Sequence, residues 1–257
     1  MEQGVPKVLS IQIGPAFAAY CVTDRSGNRL EELGYYLTDR WDAESLEAFL
    51  SGRPAFGQSY YEVMLAYDFP ESSLVPALEY RHEEAGSLAA SLFGRAAAAN
   101  TVAEAIRVKD MYNVYTVPQD IMDVMKNRFP AAKTRHQYSV LLEKAAPPDG
   151  DSILLDVRDS EFLLLLTRQG EVLLAQTYSY SSPEDVLYYL VRAASAFDMS
   201  REQCSLQVSG LIDQQSSLYK ELYLYFIRIS FREATWSHQE YPLHFFLVEV
   251  LTAIQLC

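Results

Sequence analysis

The sequence predicts an α/β protein built from two β-β-β-α-β-α halves, whose mixed sheets pack around a central cleft. The main observation is an internal repeat. Each half opens with an apolar strand, a short polar step, a second strand, a turn containing glycine, a third strand and a capped helix, at an offset of about 144 residues. The second observation is "AAPPDGD" at residues 145–151, the strongest linker signal in the chain, which divides it into residues 1–146 and 147–257. The third is bulk composition: 257 residues, 49% hydrophobic and 21% charged, with only 11 glycines and 11 prolines, enough for two buried cores and no long disordered tract.

In the first half, residues 8–13 and 17–23 read as strands around Gly14-Pro15, and "DRSGN" supplies a turn in which Gly27 or Asn28 takes positive φ. Residues 29–37 form a weaker third strand. Asp42 caps a helix over 43–50 whose Leu46, Phe49 and Leu50 share a face. Residues 51–57 are a loop, 62–67 a strand, 74–77 a short segment ending against proline, and 85–93 a helix. Residues 94–104 read as an exposed connection and 113–117 as a buried strand. Pro118 takes the first position of a helix carrying Ile121, Met122, Val124, Met125 and Phe129 on one side. Residues 132–139 read as a strand and 140–144 as a short helix.

In the second half, strands are predicted over 153–157, 162–167 and 172–178, with a turn at Gln169-Gly170. Ser182, Pro183 and Asp185 form a capping box with proline at the first helical position, ahead of a stripe of Val186, Leu187, Leu190, Val191, Ala194 and Phe197. Residues 206–208 form a buried strand leading to Ser209-Gly210. A helix over 217–224, a strand over 226–231 and a well-buried helix over 242–255 complete the chain.

A net charge of −13 argues against sequence-independent nucleic-acid binding and against an anionic membrane surface, because both need clustered Lys and Arg. Cys21, Cys204 and Cys257 are far apart, odd in number and not spaced as metal ligands, which points to reduced thiols and the cytoplasm. The N-terminal "MEQGVPK" has no signal-peptide pattern, and no apolar stretch approaches the roughly 20 residues a bilayer span needs.

In the repeat, Gln12 falls opposite Asp156 and Gly14 opposite Arg158. This layout resembles the actin-like ATPase superfamily of actin, sugar kinases and heat-shock chaperones, whose members duplicate a ribonuclease-H-like fold. "LLDV…FLLLLTRQGEVLLAQTYSY" looks most like the pilus-assembly and cell-division branches. The compact length is similar to that of a bacterial family with this fold, degenerate nucleotide motifs and no assigned activity.

The resemblance implies three nucleotide motifs. The first, Asp-x-Gly-Thr, aligns with Gln12-Ile13-Gly14-Pro15. Gln12 brings no charge to a divalent cation, and Pro15 has neither an N–H nor a hydroxyl. The second aligns with Asp156-Val157-Arg158-Asp159. Its Asp is present, but Arg158 replaces the glycine, where it either grips an anion or pairs with Asp156, Asp159 or Glu161. The adenosine motif aligns with Val208-Ser209-Gly210-Leu211 and keeps one glycine, which a strand-to-helix turn also explains.

Other chemistry is thinly represented. His82, His136, His238 and His244 are dispersed and read as surface or loop residues. No nucleophile elbow or complete P-loop is present. Asp156, Asp159 and Glu161 suggest a nuclease carboxylate cluster, but the first strand offers Gln12 where that chemistry needs an acid. The 18 tyrosines, including Tyr35-Tyr36, Tyr60-Tyr61, Tyr188-Tyr189, Tyr219, Tyr223 and Tyr225, suit either sheet edges or a partner surface.

The expectation is a cytoplasmic, actin-like pseudo-ATPase acting as a scaffold or interaction protein, with no catalytic residue, no metal and no cofactor. Gln12, Gly14, Asp156, Arg158, Ser209 and Gly210 mark a vestigial nucleotide site. The alternative is a divergent ATP-binding protein with weak ATPase or kinase activity, using ATP and Mg²⁺ through Asp156 and the backbone near Gly14 and Gly210.

Overall fold

Strand β1 (Lys7–Ile13) runs antiparallel to β2 (Phe17–Asp24), which turns through Gly27 at φ 73° into β3 (Leu30–Leu37). The coordinates are a computed structural model and describe residues 6–94, 99–144 and 150–232. They divide into two compact units, the first ending at Lys144. In that unit β4 (Glu62–Tyr67) and β8 (Lys133–His136) add parallel strands, giving the order β3-β2-β1-β4-β8.

Helix α1 (Ala43–Ser51) starts where the Asp42 carboxylate accepts the Ser45 N–H at 2.8 Å. Its Leu46, Phe49 and Leu50 bury against Leu9, Ile11 and Ile13, together with Ile121 and Met125 of α3 (Gln119–Arg128). A small antiparallel sheet, in the order β5-β7-β6, joins β5 (Ser72–Pro76), β6 (Thr101–Ile106) and β7 (Met111–Thr116), with α2 (Ala85–Phe93) against it. Helix α4 (Gln137–Lys144) leaves β8 and contacts β4 and β6.

The second unit repeats the plan. Strands β9 (Asp151–Val157), β10 (Glu161–Arg168), β11 (Glu171–Ser179), β12 (Ser205–Gly210) and β13 (Arg228–Phe231) lie in the order β11-β10-β9-β12-β13. Strands β9 and β10 begin and end 144 residues after β1 and β2, residue for residue. Helix α5 (Pro183–Ala196) and helix α6 (Ser217–Tyr225) cover one face, burying Val186, Leu190, Leu218 and Leu222 against Ile153, Leu155, Phe162 and Leu164. The Asp185 carboxylate accepts the Ser182 N–H at 3.1 Å, as the capping box requires.

The mixed α/β architecture and the duplication are therefore as expected, with local corrections. Residues 101–104, read as part of an exposed connection, belong to strand β6. Its alanines have low strand propensity, and pairing with β7 through a turn with Asp110 at φ 49° overrides it. Strand β8 stops at His136 rather than Ser139, because the Tyr138 N–H donates to the His136 ring at 3.1 Å and turns the chain into α4. Pro118 caps α3 from outside instead of opening it. Residues 51–57 are not all loop: Ser51 ends α1 and Pro54–Gly57 is a 3₁₀ turn. Ser209 and Gly210 remain inside β12. The helix expected over 242–255 lies outside the described residues.

Phe162 is fully buried among Tyr178, Tyr180 and Tyr189, with ring centroids 5.5, 5.9 and 6.1 Å away. Phe162→Ala removes this centre and lowers the stability to urea unfolding by about 3–5 kcal/mol.

Candidate functional site

The sixth residue of each lead strand is polar, Gln12 in β1 and Asp156 in β9. Both faces of these strands are buried, so each side chain needs partners within the protein. Gln12 is fully buried; its Nε2 donates to Asp68 Oδ2 at 2.6 Å and to Gln137 Oε1. Asp68 directly follows β4, where its own N–H donates to the Ile13 carbonyl at 2.8 Å. Gln137 opens α4. The parallel pairing of β1 with β4 thus brings a neutral amide and an acid together at one end of the sheet.

The loop after β1 is closed on itself. The Gly14 N–H donates to the Phe17 carbonyl at 3.1 Å, and a Cβ on Gly14 would lie 2.1 Å from the Phe17 ring. That ring stacks on Tyr35 at 5.7 Å. Trp41 fixes the loop with two donors: its indole N–H to the Phe17 carbonyl at 3.0 Å, and its backbone N–H to the Pro15 carbonyl at 3.2 Å. The glycine is needed for the close approach of a phenylalanine, its own N–H is turned into the loop, and Pro15 has none.

In the second unit, Asp156 Oδ1 accepts the Ser209 hydroxyl at 2.7 Å, and Oδ2 accepts Arg158 Nη2 at 3.4 Å. Asp156 and Ser209 are register partners in the parallel pair β9–β12. Asp156, Arg158 and Ser209 are all buried. The Arg158 backbone is fixed by its N–H to the Glu161 carbonyl at 2.8 Å and by the Tyr180 hydroxyl on its own carbonyl at 2.7 Å. Arg232 follows β13 with its N–H on the Val208 carbonyl at 3.0 Å. Burial pushes the Arg232 guanidinium down to about 10, and the Asp156 charge opposes that shift. Gly210 has φ 85°, and a Cβ there would fall 2.0 Å from the Val157 carbonyl oxygen, which accepts the Leu211 N–H at 2.7 Å. This glycine serves a close strand-to-strand contact.

The six sequence-derived positions fall into two groups, Gln12 with Gly14 and Asp156 with Arg158, Ser209 and Gly210. Asp156 is one of the three acids open to Arg158, and Arg158 Nη2 reaches its Oδ2 at 3.4 Å. Hydrated Mg²⁺ needs a carboxylate able to accept its inner-shell waters. Gln12 has no charge to give, and the Asp156 carboxylate is bracketed by the Ser209 hydroxyl and the Arg158 guanidinium. Phosphate needs outward amides, which Gly14 and Pro15 do not offer. These residues do not fit a magnesium–nucleotide complex.

Sequence reasoning missed Asp68, Gln137 and Arg232, whose roles depend on strand register. The signal for Asp68 was an acid placed directly after an apolar parallel strand. His136, expected at the surface, is fully buried: Nε2 donates to the Phe69 carbonyl at 3.0 Å and Nδ1 accepts from Tyr138, which fixes a neutral ring. Its backbone N–H donates to Glu104 at 2.9 Å, whose carboxyl is held above its usual range by burial. Its placement as a surface or loop residue fails because β8 delivers it beneath Tyr115 and Tyr138.

The model of one protein family, described as a protein of unknown function (DUF3822), matches residues 2–229. The chain belongs to the DUF3822 family. No curated protein matches it. Among solved structures, this DUF3822 chain is similar to a Bacteroides thetaiotaomicron protein described as having an actin-like ATPase fold and unknown function, with TM-score 0.78, 15% identity, and 99% of this chain and 97% of that one covered. It is also similar to the PilM–PilN type IV pilus biogenesis complex, with TM-score 0.60, 11% identity, and 97% and 96% covered. The third is the cytoplasmic domain of EpsL, an inner membrane component of the Vibrio cholerae type II secretion system, with TM-score 0.51, 13% identity, and 97% and 94% covered. The DUF3822 chain has the actin-like ATPase fold.

Two variants probe the site. Gln12→Asp sets a second carboxylate beside Asp68, so the pair holds a proton in the folded state that the unfolded chain releases near pH 4. The folded pKa is raised, so this proton's contribution to stability is full below about pH 4, is lost as pH rises from there through the raised folded value, and levels off above it, a slope that urea titrations across pH read directly. Arg158→Met removes one partner of a buried ion pair and costs about 3–5 kcal/mol in the same assay. That cost shrinks in a Asp156→Asn background.

Proposed function

We propose that this chain is an actin-like pseudo-ATPase that works as a scaffold or protein-interaction module. The observation that carries the reading is the Asp156 carboxylate bound by its own chain's Ser209 and Arg158. Phosphoryl transfer rests on positioned metal and electrostatic stabilisation of the transferred group. A carboxylate already engaged by a fixed cation supplies neither. The ring of Phe17 over Gly14 adds to the argument.

The interaction role draws on two similar structures, because PilM is found with PilN and EpsL is a component of a secretion system. It draws also on three exposed apolar residues close together in the chain, Tyr223, Leu224 and Ile227 at 64%, 76% and 72% exposure. No helix among the described residues is long and apolar enough to cross a membrane. We place the protein in the cytoplasm on its thiols. Cys21 and Cys204 are free and buried, and burial pushes the Cys21 thiol up to about 12. The charge of −13 points to a protein partner rather than a nucleic acid.

Calorimetric titration with ATP and Mg²⁺ tests the reading. No saturable heat is expected at nucleotide concentrations of about 1 mM, the upper range of typical nucleotide-enzyme KM values. Saturable, magnesium-dependent binding that Asp156→Ala abolishes overturns it in favour of a divergent ATP-binding protein.

A further inference from the structure

The first unit carries a groove of about 360 Å³ between β5 and α2, away from both polar clusters, at the low end of ligand-pocket volumes. One wall is the outer edge of β5. This strand pairs only with β7 among the described residues. The Thr116 N–H donates to the Glu71 carbonyl and the Ala77 N–H to the Asp110 carbonyl, at 3.0 and 2.8 Å. In an antiparallel ladder that register turns Ser73 and Val75 toward β7 and leaves Leu74 with its N–H and C=O directed at the open edge. Pro76 ends the edge: it has no N–H, and its carbonyl accepts the Glu79 and Tyr80 amides at 2.9 and 3.0 Å.

The other wall is apolar and comes from α2, through Ala85, Leu88 and Leu92, with Leu92 51% exposed. The end of the groove is rigid. Tyr80 stacks on Tyr112 at 3.8 Å, and Arg81 Nη1 donates to the Leu78 and Tyr80 carbonyls at 3.0 Å each. Leu78 stands beside it at 90% exposure. The rim is acidic: Glu79 and Glu84 line it and Glu83 is adjacent, against Arg81 as the one cation among the described lining residues.

An open backbone pair, an apolar wall and an acidic rim fit one kind of occupant. We propose that the groove docks an extended segment of a partner protein, one that adds as a strand along Leu74. An apolar side chain of this segment rests on Leu88 and Leu92, and flanking Lys or Arg residues face Glu79 and Glu84. Main-chain pairing supplies the affinity, the pocket selects the apolar side chain, and the rim selects sign and speeds encounter. The proposal rests on the interaction-module reading and names the chemistry of the partner.

The test uses a fluorescent peptide of about eight residues that alternates Lys with Leu or Val, a span suited to strand addition. A twin carries Glu in place of Lys. Anisotropy with the full chain is expected to rise saturably for the basic peptide, with the acidic twin about tenfold weaker or worse. Hydrogen exchange is expected to slow at the Leu74 amide when the basic peptide is bound. Leu92→Lys, at a half-exposed position that leaves the fold intact, is expected to weaken the basic peptide about tenfold. The double variant Glu79→Lys with Glu84→Lys is expected to reverse the peptide preference. No saturable binding of the basic peptide, equal binding of both peptides, or binding with the Leu74 amide unprotected overturns the proposal. Nucleotide heat in calorimetry would overturn the pseudo-ATPase reading and leave the groove standing. Failed peptide binding without nucleotide heat removes the groove alone.

Discussion

The structure turns on a burial constraint: the sixth residue of each lead strand is polar and has no water to bond. An unmet donor or acceptor there costs about 1–3 kcal/mol, a sizeable share of a domain's stability. Each half meets the demand with chain segments distant in sequence. Gln12 draws in Asp68 after β4 and Gln137 at the start of α4, 56 and 125 residues away. Asp156 draws in Ser209 of β12, 53 residues away, and Arg158 from its own loop. The partners lie where the parallel strands end, so the polar contacts also fix how β4 hands over to Asp68 and β12 to Gly210.

The duplication has kept the strand plan and rewritten the polar answer. Gln12 sits in register with Ala66, and Asp156 with Ser209. An alanine offers nothing to bond, so the first half finds its acid two residues later, at Asp68. The matching step in the second half is Leu211, whose backbone N–H joins the strand network instead. Each half keeps one buried carboxylate near this end of its sheet, on the lead strand in one case and just past the neighbouring strand in the other. In both, the oxygens accept hydrogen bonds from the protein.

Strand alternation and capping chemistry are local, and they made most of the fold legible: β1, β2, β4, α2, α5 and the Gln169-Gly170 turn needed no tertiary information. Strand β6 was hidden because alanines at 103 and 105 carry no strand signal until β7 lies beside them. The start of α4 was hidden by a single ring-to-backbone bond at His136. The site divides the same way. Gln12 and Pro15 announced a loss of charge and of donors by their chemistry alone. Asp68, Gln137 and Arg232 could not be read, since only strand register places them. Arg158 was ambiguous among three acids, and its contact with Asp156 became visible only in the folded chain, where the residue sits just past the end of β9.

A TM-score of 0.78 at 15% identity shows how far the sequence of this fold can change while its strand plan stays. The buried contacts of β1 and β9 need apolar neighbours and a satisfied polar residue, and here internal side chains supply the bonds, Asp68 and Gln137 for Gln12 and Ser209 and Arg158 for Asp156. On the pseudo-ATPase reading this has a functional consequence. A metal and a phosphate leave at the end of a catalytic cycle, whereas Arg158 is covalently part of the chain and its guanidinium stays charged at all physiological pH. On the pseudo-ATPase reading, the charge that a nucleotide would bring and remove is permanent around Asp156. The partner surface is then presented constantly rather than gated by hydrolysis, which is the behaviour a scaffold requires.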